Sequence, residues 1–296
     1  MNNQPSDKPS VTPFHHPASG TWTYVVADPG TRAAAVIDPV LDYDWRSGRT
    51  GTRTADAVIA HCESAGLDLR WILETHAHAD HLSSAPYLQS RLGGKIAIGQ
   101  GIRQVQEAFK RIFGLGQEFR TDGSQFDRLL ADGEVVDIGG LRARVIASPG
   151  HTNDSVAYLI GDALFVGDTI FMPDSGSARC DFPGGDAAEL YRTVQRLYAL
   201  PGDTRVFVCH DYSPGGREPR CETTVLAQRT GNIHIRDGVS EQDYVEMRRK
   251  RDATLDVPNL LIPSVQVNIR AGRLPPADAD GVSYLRVPLN VLGRPI

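Results

Sequence analysis

The segment THAHADH, residues 75–81, follows directly on an apolar run, LRWILE at 69–74, that is typical of a buried strand. It places three histidines and one aspartate close together: His76, His78, Asp80 and His81. Side chains two positions apart on an extended chain point the same way, so we expect His76 and His78 to converge on one ion. Asp80 and His81 follow where the chain turns and can reach a second ion. Imidazole and carboxylate are donors that zinc and non-haem iron prefer. The alternative is a solvated loop that is merely rich in histidine.

Three further donors each follow a predicted strand. His151 lies in PGHT (149–152) after the strand 141–148, and Asp168 lies in GDT (167–169) after the strand 163–166. His210 follows the strand 205–209. Each of these residues alone is typical of a cap or a surface position. Together they are expected at one edge of a sheet, where the sites of α/β proteins are built.

The order of predicted elements indicates an α/β protein with two mixed sheets between helices, an αββα sandwich. The predicted strands are 21–28, 33–40, 69–74, 95–98, 134–138, 141–148, 155–160, 163–166 and 205–209. The predicted helices are 54–65, 83–92, 102–113, 187–200 and 242–255. Residues 1–20 are polar and rich in proline at their start, which predicts a flexible N-terminal arm. Residues 21–296 are predicted to form a single domain with a C-terminal extension after about residue 230.

Composition excludes several classes of protein. Thirty-one Lys and Arg against 36 Asp and Glu give a net charge of −5, without the basic excess of a duplex-binding protein. No apolar run approaches the roughly 20 residues of a membrane span, and no signal peptide is indicated. Four scattered cysteines without a C-x-x-C pair indicate reduced thiols and a cytoplasmic location. The expected partners therefore include neither nucleic acid nor membrane. A homodimer is compatible with the sequence, which does not set the oligomeric state.

Four motifs resemble those of the metallo-β-lactamase superfamily in spacing and order. They are HAHADH (76–81), SPGHT (148–152), FVGDT (165–169) and CHDY (209–212). The resemblance implies the metallo-β-lactamase sandwich. It also implies one ion at His76, His78 and His151 and a second at Asp80, His81 and His210, with Asp168 between them. It does not imply one reaction, because members of the superfamily hydrolyse several substrate classes and some are oxidative.

The stretch between Asp168 and His210 is similar to that of the persulfide dioxygenases, a branch close to glyoxalase II. The similar element is RCDF at 179–182, with Arg179, Asp181 and Phe182, and the tail at 261–276 also resembles bacterial members of that branch. This resemblance implies a single Fe(II) held by His76, His151 and Asp168. His78, Asp80, His81 and His210 would then orient ligands and water by hydrogen bonds, or hold a second metal. Ser177 and Ala178 stand where mitochondrial-type members have Cys-Gly, so the thiol of those members is missing here. Cys180 lies close to that position in the sequence, and its alternative is a small buried residue without a role in the site.

The expected function is therefore persulfide dioxygenation of glutathione persulfide with O₂, giving sulfite and glutathione. Arg179 is the candidate partner of a glutathione carboxylate, and Asp181 is a second candidate substrate-binding residue. The alternative role of Arg179 is a structural ion pair with Asp181 or Asp186. Tyr212 is a candidate for both substrate binding and catalysis, or else a core tyrosine. His210 and Asp80 are the other candidate catalytic residues. The alternatives are a dinuclear zinc hydrolase of glyoxalase II type, acting on a thioester or lactone, and a metal-binding protein without catalysis.

Overall fold

Two six-stranded sheets pack face to face in the computed structural model, which describes residues 8–293 of the chain. The strands within this range are β1 (Ser10–His16), β2 (Thr21–Ala27), β3 (Ala33–Ile37), β4 (Val40–Asp44), β5 (Arg49–Gly51), β6 (Asp68–Leu73), β7 (Leu82–Ser83), β8 (Lys95–Gly99), β9 (Arg128–Leu130), β10 (Val135–Ile138), β11 (Leu141–Ala147), β12 (Val156–Ile160), β13 (Ala163–Phe165), β14 (Arg205–Phe207) and β15 (Glu222–Thr224). The helices are α1 (Arg53–Ser64), α2 (Ala85–Leu92), α3 (Ile102–Ile112), α4 (Ala187–Tyr198), α5 (Val225–Gly231), α6 (Glu241–Asp252) and α7 (Leu261–Asn268).

Both large sheets are mixed. The first has the order β1-β2-β3-β6-β8-β9, antiparallel from β1 to β3 and parallel from β3 to β9. The second has the order β10-β11-β12-β13-β14-β15, with one parallel pair, β13 with β14. A small sheet, β5-β4-β7, lies beside them. Strands β6, β11, β13 and β14 therefore end near one another, and the chain leaves each of them toward a candidate metal ligand.

Three apolar clusters hold together the four layers of the fold, which are the two sheets and the helices on the outer face of each. Tyr24 and Leu73 of the first sheet meet Tyr158 and Phe165 of the second in a buried central cluster. A second cluster joins the outer face of the first sheet to α1, α2, α3 and α7. A third joins the outer face of the second sheet to α4 and α6. Burial of these large side chains is the main favourable contribution to the fold. The predicted αββα sandwich is confirmed.

The predicted helices lie within a few residues of α1, α2, α3, α4 and α6, but other local expectations were wrong. The predicted strand 33–40 is broken at Asp38, which has a φ of +50° and separates β3 from β4. The backbone accepts this left-handed conformation because the Asp38 carboxylate binds the backbone N–H of Thr75, 2.7 Å away. The sequence also did not predict α5 or α7.

The prediction of a flexible arm over residues 1–20 is wrong for its second half. Ser10–His16 forms β1, which pairs along its whole length with β2. The apolar side chains of Val11 and Phe14 pack partly against the core, so this segment has both ladder hydrogen bonds and burial to hold it. Residues 1–7 of the predicted arm lie outside the described residues.

The C-terminal extension packs on the sandwich. Helix α6 packs against α4, and Leu261, Val265 and Ile269 of the α7 region join the cluster on the first sheet. The longest helices in the described part of the chain have 12 residues, and none is long and apolar enough to cross a bilayer.

Candidate metal centre

The loop between β6 and β7 carries the THAHADH segment and is buried although it has no regular secondary structure. Two carboxylates hold its backbone. Asp38 accepts hydrogen bonds from both the N–H and the hydroxyl of Thr75, at 2.7 and 2.9 Å. Asp154 accepts from the N–H of Ala77 at 2.7 Å. Because buried backbone groups need partners, the two bonds to the N–H groups of Thr75 and Ala77 let the loop run through the interior in an irregular conformation.

Two imidazoles and one carboxylate form a compact group of possible ligands. The Nε2 atoms of His76 and His151 lie 3.7 and 3.8 Å from Oδ2 of Asp168. Their nearest donor atoms all lie within 4.8 Å of one another. A single ion can therefore contact all three side chains without a change of backbone.

The other predicted donors lie beside this group. Nε2 of His210 is 3.2 Å from Oδ2 of Asp80 and 3.3 Å from Oδ1 of Asp168. His78 and His81 lie with His210 and Cys209 in another cluster within ligand distance. The structure thus brings all seven predicted donors to one place, with Asp168 between the two halves.

Several of these buried atoms make no hydrogen bond among the described residues. They are Nε2 of His76, His81 and His210, both ring nitrogens of His78 and Oδ1 of Asp168. Buried polar atoms in native proteins are almost always hydrogen bonded. Ring nitrogens and a carboxylate oxygen that share this property and converge are well suited to a metal ion.

A protein oxygen lies within 3.4 Å of one nitrogen of each ring, and for every ring except that of His78 the contact is a hydrogen bond. The oxygens are Oγ1 of Thr75 for His76, Oδ1 of Asp38 for His78, the Leu82 carbonyl for His81, the Arg179 carbonyl for His151 and Oγ1 of Thr21 for His210. The distances run from 2.7 Å for His151 to 3.4 Å for His210. Such partners fix the ring orientation and the tautomer of metal-binding histidines.

Burial sets the protonation states of the imidazoles in the direction that a cation requires. Burial, with repulsion from the neighbouring imidazoles, holds the pKa of His76 well below its ordinary value, and burial lowers the pKa of His151 to about 4. Burial, followed by the charge of Asp80, raises the pKa of Asp168 well above its ordinary value. The imidazoles are therefore neutral and able to donate a lone pair, and a bound cation would relieve the repulsion between the carboxylates.

Arg179 and Asp181 form a two-point ion pair. Nε and Nη2 of Arg179 donate to the two carboxylate oxygens of Asp181 at 2.6 and 2.7 Å, and Nη1 donates to the Asp256 carbonyl at 2.7 Å. The guanidinium lies 5.2 Å from the centre of the Phe182 ring, which meets the His151 ring edge-on at 5.2 Å. The segment therefore lies next to the metal ligands. Contact of either charged residue with substrate stays a prediction.

Tyr212 is a surface residue and not a core tyrosine, since 62% of it is exposed. Its ring lies nearly parallel to that of His210, with centroids 6.0 Å apart, and meets Phe171 edge-on. The phenol thus lies beside His210 and is exposed to solvent, and its contact with substrate stays a prediction.

Cys180 is a small buried residue. It is 8% exposed, it packs with the apolar cluster on the second sheet, and burial raises the pKa of its thiol. Ser177 is also buried and its hydroxyl bonds to that of Tyr244 at 2.9 Å. No free thiolate is therefore expected at either position.

Two cavities adjoin the site. One, of about 960 Å³, lies between residues 179–187 and the C-terminal segment 249–261 and includes Arg179 and Phe182 in its wall. The other, of about 460 Å³, is bounded by Asp80, His81 and the β4–β5 turn with Trp45. Both volumes are sufficient for a small organic substrate.

A comparison with protein-family models matches residues 16–210 to the metallo-β-lactamase superfamily. The chain belongs to the metallo-β-lactamase superfamily. A probable metallo-hydrolase of Burkholderia pseudomallei is 50% identical to it, over 96% of this chain and 100% of the relative. Glyoxylase B2 of Dictyostelium discoideum is 48% identical, over 97% and 99%. The mitochondrial persulfide dioxygenase ETHE1 of Homo sapiens is 30% identical, over 86% of both chains. Among solved structures, ETHE1 from Myxococcus xanthus is similar with a TM-score of 0.70 and 27% identity, over 89% of this chain and 100% of that one.

The sequence did not predict the residues that support the ligands of this superfamily site. Asp38, Asp154 and Thr21 are buried and bind the THAHADH loop or His210. Asp38 stands directly before a proline at the end of an apolar run, and Asp154 lies three residues after His151. For the two aspartates, the one local signal in the sequence is an acidic residue in or next to a predicted apolar strand. Thr21 offers no such signal.

Proposed function

We propose that the chain is a persulfide dioxygenase that oxidises the sulfane sulfur of glutathione persulfide with O₂ at one Fe(II) ion per chain. The observation that carries this proposal is the group formed by His76, His151 and Asp168. Two histidines and one carboxylate with open positions are the ligand set of non-haem Fe(II) oxygenases. The similarity to persulfide dioxygenases supports it.

The proposed reaction consumes one water and one O₂. The terminal sulfur of R–S–SH gives up four electrons, which reduce O₂, and the S–S bond breaks to leave R–SH and sulfite with release of two protons. Iron bound at this group supplies open positions for sulfur and O₂ and a redox chemistry that Zn²⁺ lacks.

The side chains around the donors have separate tasks in this proposal. Asp80 and His210, whose nearest side-chain atoms are 3.2 Å apart, orient the water and accept its proton. Tyr212 donates a hydrogen bond to the substrate from the open side. Phe171 and Phe182 border the site with apolar surface and limit the access of bulk water.

The test is oxygen consumption by purified iron-loaded protein given glutathione persulfide. We expect uptake of O₂ with release of sulfite, and no turnover of this substrate under nitrogen. A flat oxygen trace from iron-loaded protein, alongside hydrolysis of a glutathione thioester such as S-lactoylglutathione, would overturn the proposal.

A dinuclear zinc hydrolase of glyoxalase II type is the second candidate. The cluster of His78, His81 and His210, with Asp80 alongside, offers enough donors for a second ion, and the glyoxylase relative is similar over nearly the whole chain. Such an enzyme needs only water polarised by the metal, so O₂ would not affect it. Metal analysis of protein purified without added metal separates the two: about one iron per chain supports the dioxygenase, and about two zinc ions support the hydrolase.

The proposed partners are the small molecules glutathione persulfide and O₂. A cytoplasmic location and a homodimer remain predictions. Light scattering on the eluted protein would test the homodimer.

A further inference from the structure

The irregular loop that carries the ligands needs more support than Asp38 and Asp154 provide. The second half of the loop contains His78 and His81, whose imidazoles are buried and whose backbone carbonyls also need hydrogen-bond donors. A loop of this kind holds one shape only if its buried carbonyls find donors elsewhere in the molecule. The donor comes from the C-terminal helix α7.

Asn268, at the end of α7 and 4% exposed, binds this half of the loop at three points. Its Nδ2 donates to the carbonyl oxygens of both His78 and His81, each at 2.8 Å. Its Oδ1 accepts from the backbone N–H of Ser83 at 2.9 Å. The carbonyls can only accept and the N–H can only donate, so the orientation of the amide is unambiguous.

We propose that Asn268 is a positioning residue of the metal centre, which fixes the spacing of His78 and His81 through their backbone. One amide group closes the turn that contains Asp80, so the three side chains keep their separation when an ion binds or leaves. Asn268 lies outside residues 16–210, the part of the chain that matches the superfamily. In this chain the C-terminal extension is therefore part of the metal site.

The helix itself is held firmly. Val265, Val267 and Ile269 around Asn268 are buried. Gly272 follows with a φ of +80°, and a Cβ there would lie 2.8 Å from the Ser83 carbonyl oxygen. Only glycine allows the chain to pass so close to the loop. Ser83, in β7 directly after the loop, is thus bound by Asn268 and closely approached by Gly272.

Only an amide meets all three requirements. A carboxylate at this position would still accept from Ser83 but would face two carbonyl oxygens with no hydrogen to donate. An alanine would leave both carbonyls without a partner. Neighbouring groups that orient metal ligands typically contribute about 10- to 100-fold to metal affinity.

Helix α7 provides a matched control. Gln266 is also a buried amide with three hydrogen bonds: it donates to the carbonyls of Ile262 and Arg286 and accepts from the N–H of Arg286. None of these bonds reaches the metal loop. Gln266→Ala should therefore lower the stability of the helix about as much as Asn268→Ala, but without changing the loop.

The experiment titrates metal-loaded protein with a competing chelator, for Fe(II) under nitrogen and for Zn²⁺. We expect Asn268→Ala and Asn268→Asp to weaken metal binding by about 10- to 100-fold, and Gln266→Ala to leave it within a few-fold of the unaltered protein. Unchanged affinity in the Asn268 variants, or an equal loss in Gln266→Ala, would overturn the inference.

Hydrogen exchange on the unaltered protein gives an independent test. The Ser83 amide should be protected as strongly as the core strands, and fast exchange there would contradict the inference even if the Asn268 variants failed to fold. The inference rests on the metal centre of the proposed function but not on its reaction. A protein that held metal through Asn268 yet consumed no O₂ would overturn the dioxygenase alone.

Discussion

Nδ1 of His151 lies 2.7 Å from the backbone carbonyl oxygen of Arg179. A carbonyl only accepts, so Nδ1 carries the hydrogen and Nε2, on the side of Asp168, has the free lone pair. Arg179 therefore acts on the proposed ligand through its backbone, whereas its side chain pairs with Asp181. The two effects can be separated by mutation.

Arg179→Ala should keep its metal, because the carbonyl that orients His151 is retained. We expect the KM for glutathione persulfide to rise about tenfold or more, since a hydrogen bond to a charged group contributes about 1.5–3 kcal/mol. The kcat should fall less, as expected for a contact made equally in ground and transition states. Steady-state kinetics with metal analysis checks this. Asp181→Asn is the control for the ion pair, and metal loss in Arg179→Ala would contradict the prediction.

His151→Ala and Asp168→Ala should each lose both iron and activity while the fold remains. Both residues lie beyond the ends of strands, so their removal leaves the central apolar cluster intact. Metal analysis and circular dichroism on the same samples measure the two properties. A folded, fully metallated and active His151→Ala protein is the result that would remove this residue from the ligand set.

His210→Ala distinguishes one metal ion from two. In a mononuclear enzyme, the variant should keep near-stoichiometric iron and lose turnover, because a residue beside the ligands tunes the ion without holding it. In a dinuclear enzyme the same variant should lose about half of its metal. Metal content and rate, measured together on this variant, decide between the two.

Thr21, in the N-terminal hairpin of β1 and β2, supports the metal centre, and Thr21→Val should weaken metal binding or turnover. Oγ1 of Thr21 lies 3.4 Å from Nδ1 of His210 and 3.5 Å from Oδ2 of Asp80, and valine has a similar shape without the hydroxyl. We expect a loss of about 10- to 100-fold in metal affinity or rate. Thr21→Ser retains the hydroxyl and should recover most of it. Equal behaviour of the two variants would show that the hydroxyl is not required.

Stability should fall as the pH decreases from 6.5 toward 4. Burial, followed by the charge of Arg248, lowers the pKa of His234 from 6.5 to about 4. Between these values the unfolded chain binds more protons than the folded protein, so the full stability is present above pH 6.5 and is lost as the pH falls to about 4. Protonation also removes the acceptor that Nδ1 offers to the Ser177 N–H at 2.9 Å. Thermal unfolding on both sides of this window measures the effect, and a His234→Gln variant should be less sensitive to pH there.

The sandwich and its donors could be predicted because their signals are local. Helices α1, α3 and α4 show apolar spacing within single segments, and His76, His151 and Asp168 each stand two or three residues after a predicted strand. Strand ends of one sheet meet at a common edge, so the convergence of His151, Asp168 and His210 followed from the order of the elements. His76 follows β6 of the other sheet, so its place beside them depends on how the two sheets pack. The N-terminal strand β1 was missed because an edge strand with proline and polar residues carries little pattern of its own.

Only the tertiary structure shows what orients those donors. Asn268 lies 190 residues from His78 along the chain, and Thr21 lies 189 residues from His210. Asp38 binds Thr75, 37 residues away, while its own backbone is in a left-handed conformation. Hydrogen bonds of this kind join irregular segments whose contact depends on the packing of every layer between them. The sequence alone therefore determined which atoms can bind a metal, and the packed fold decided in which direction each of them points.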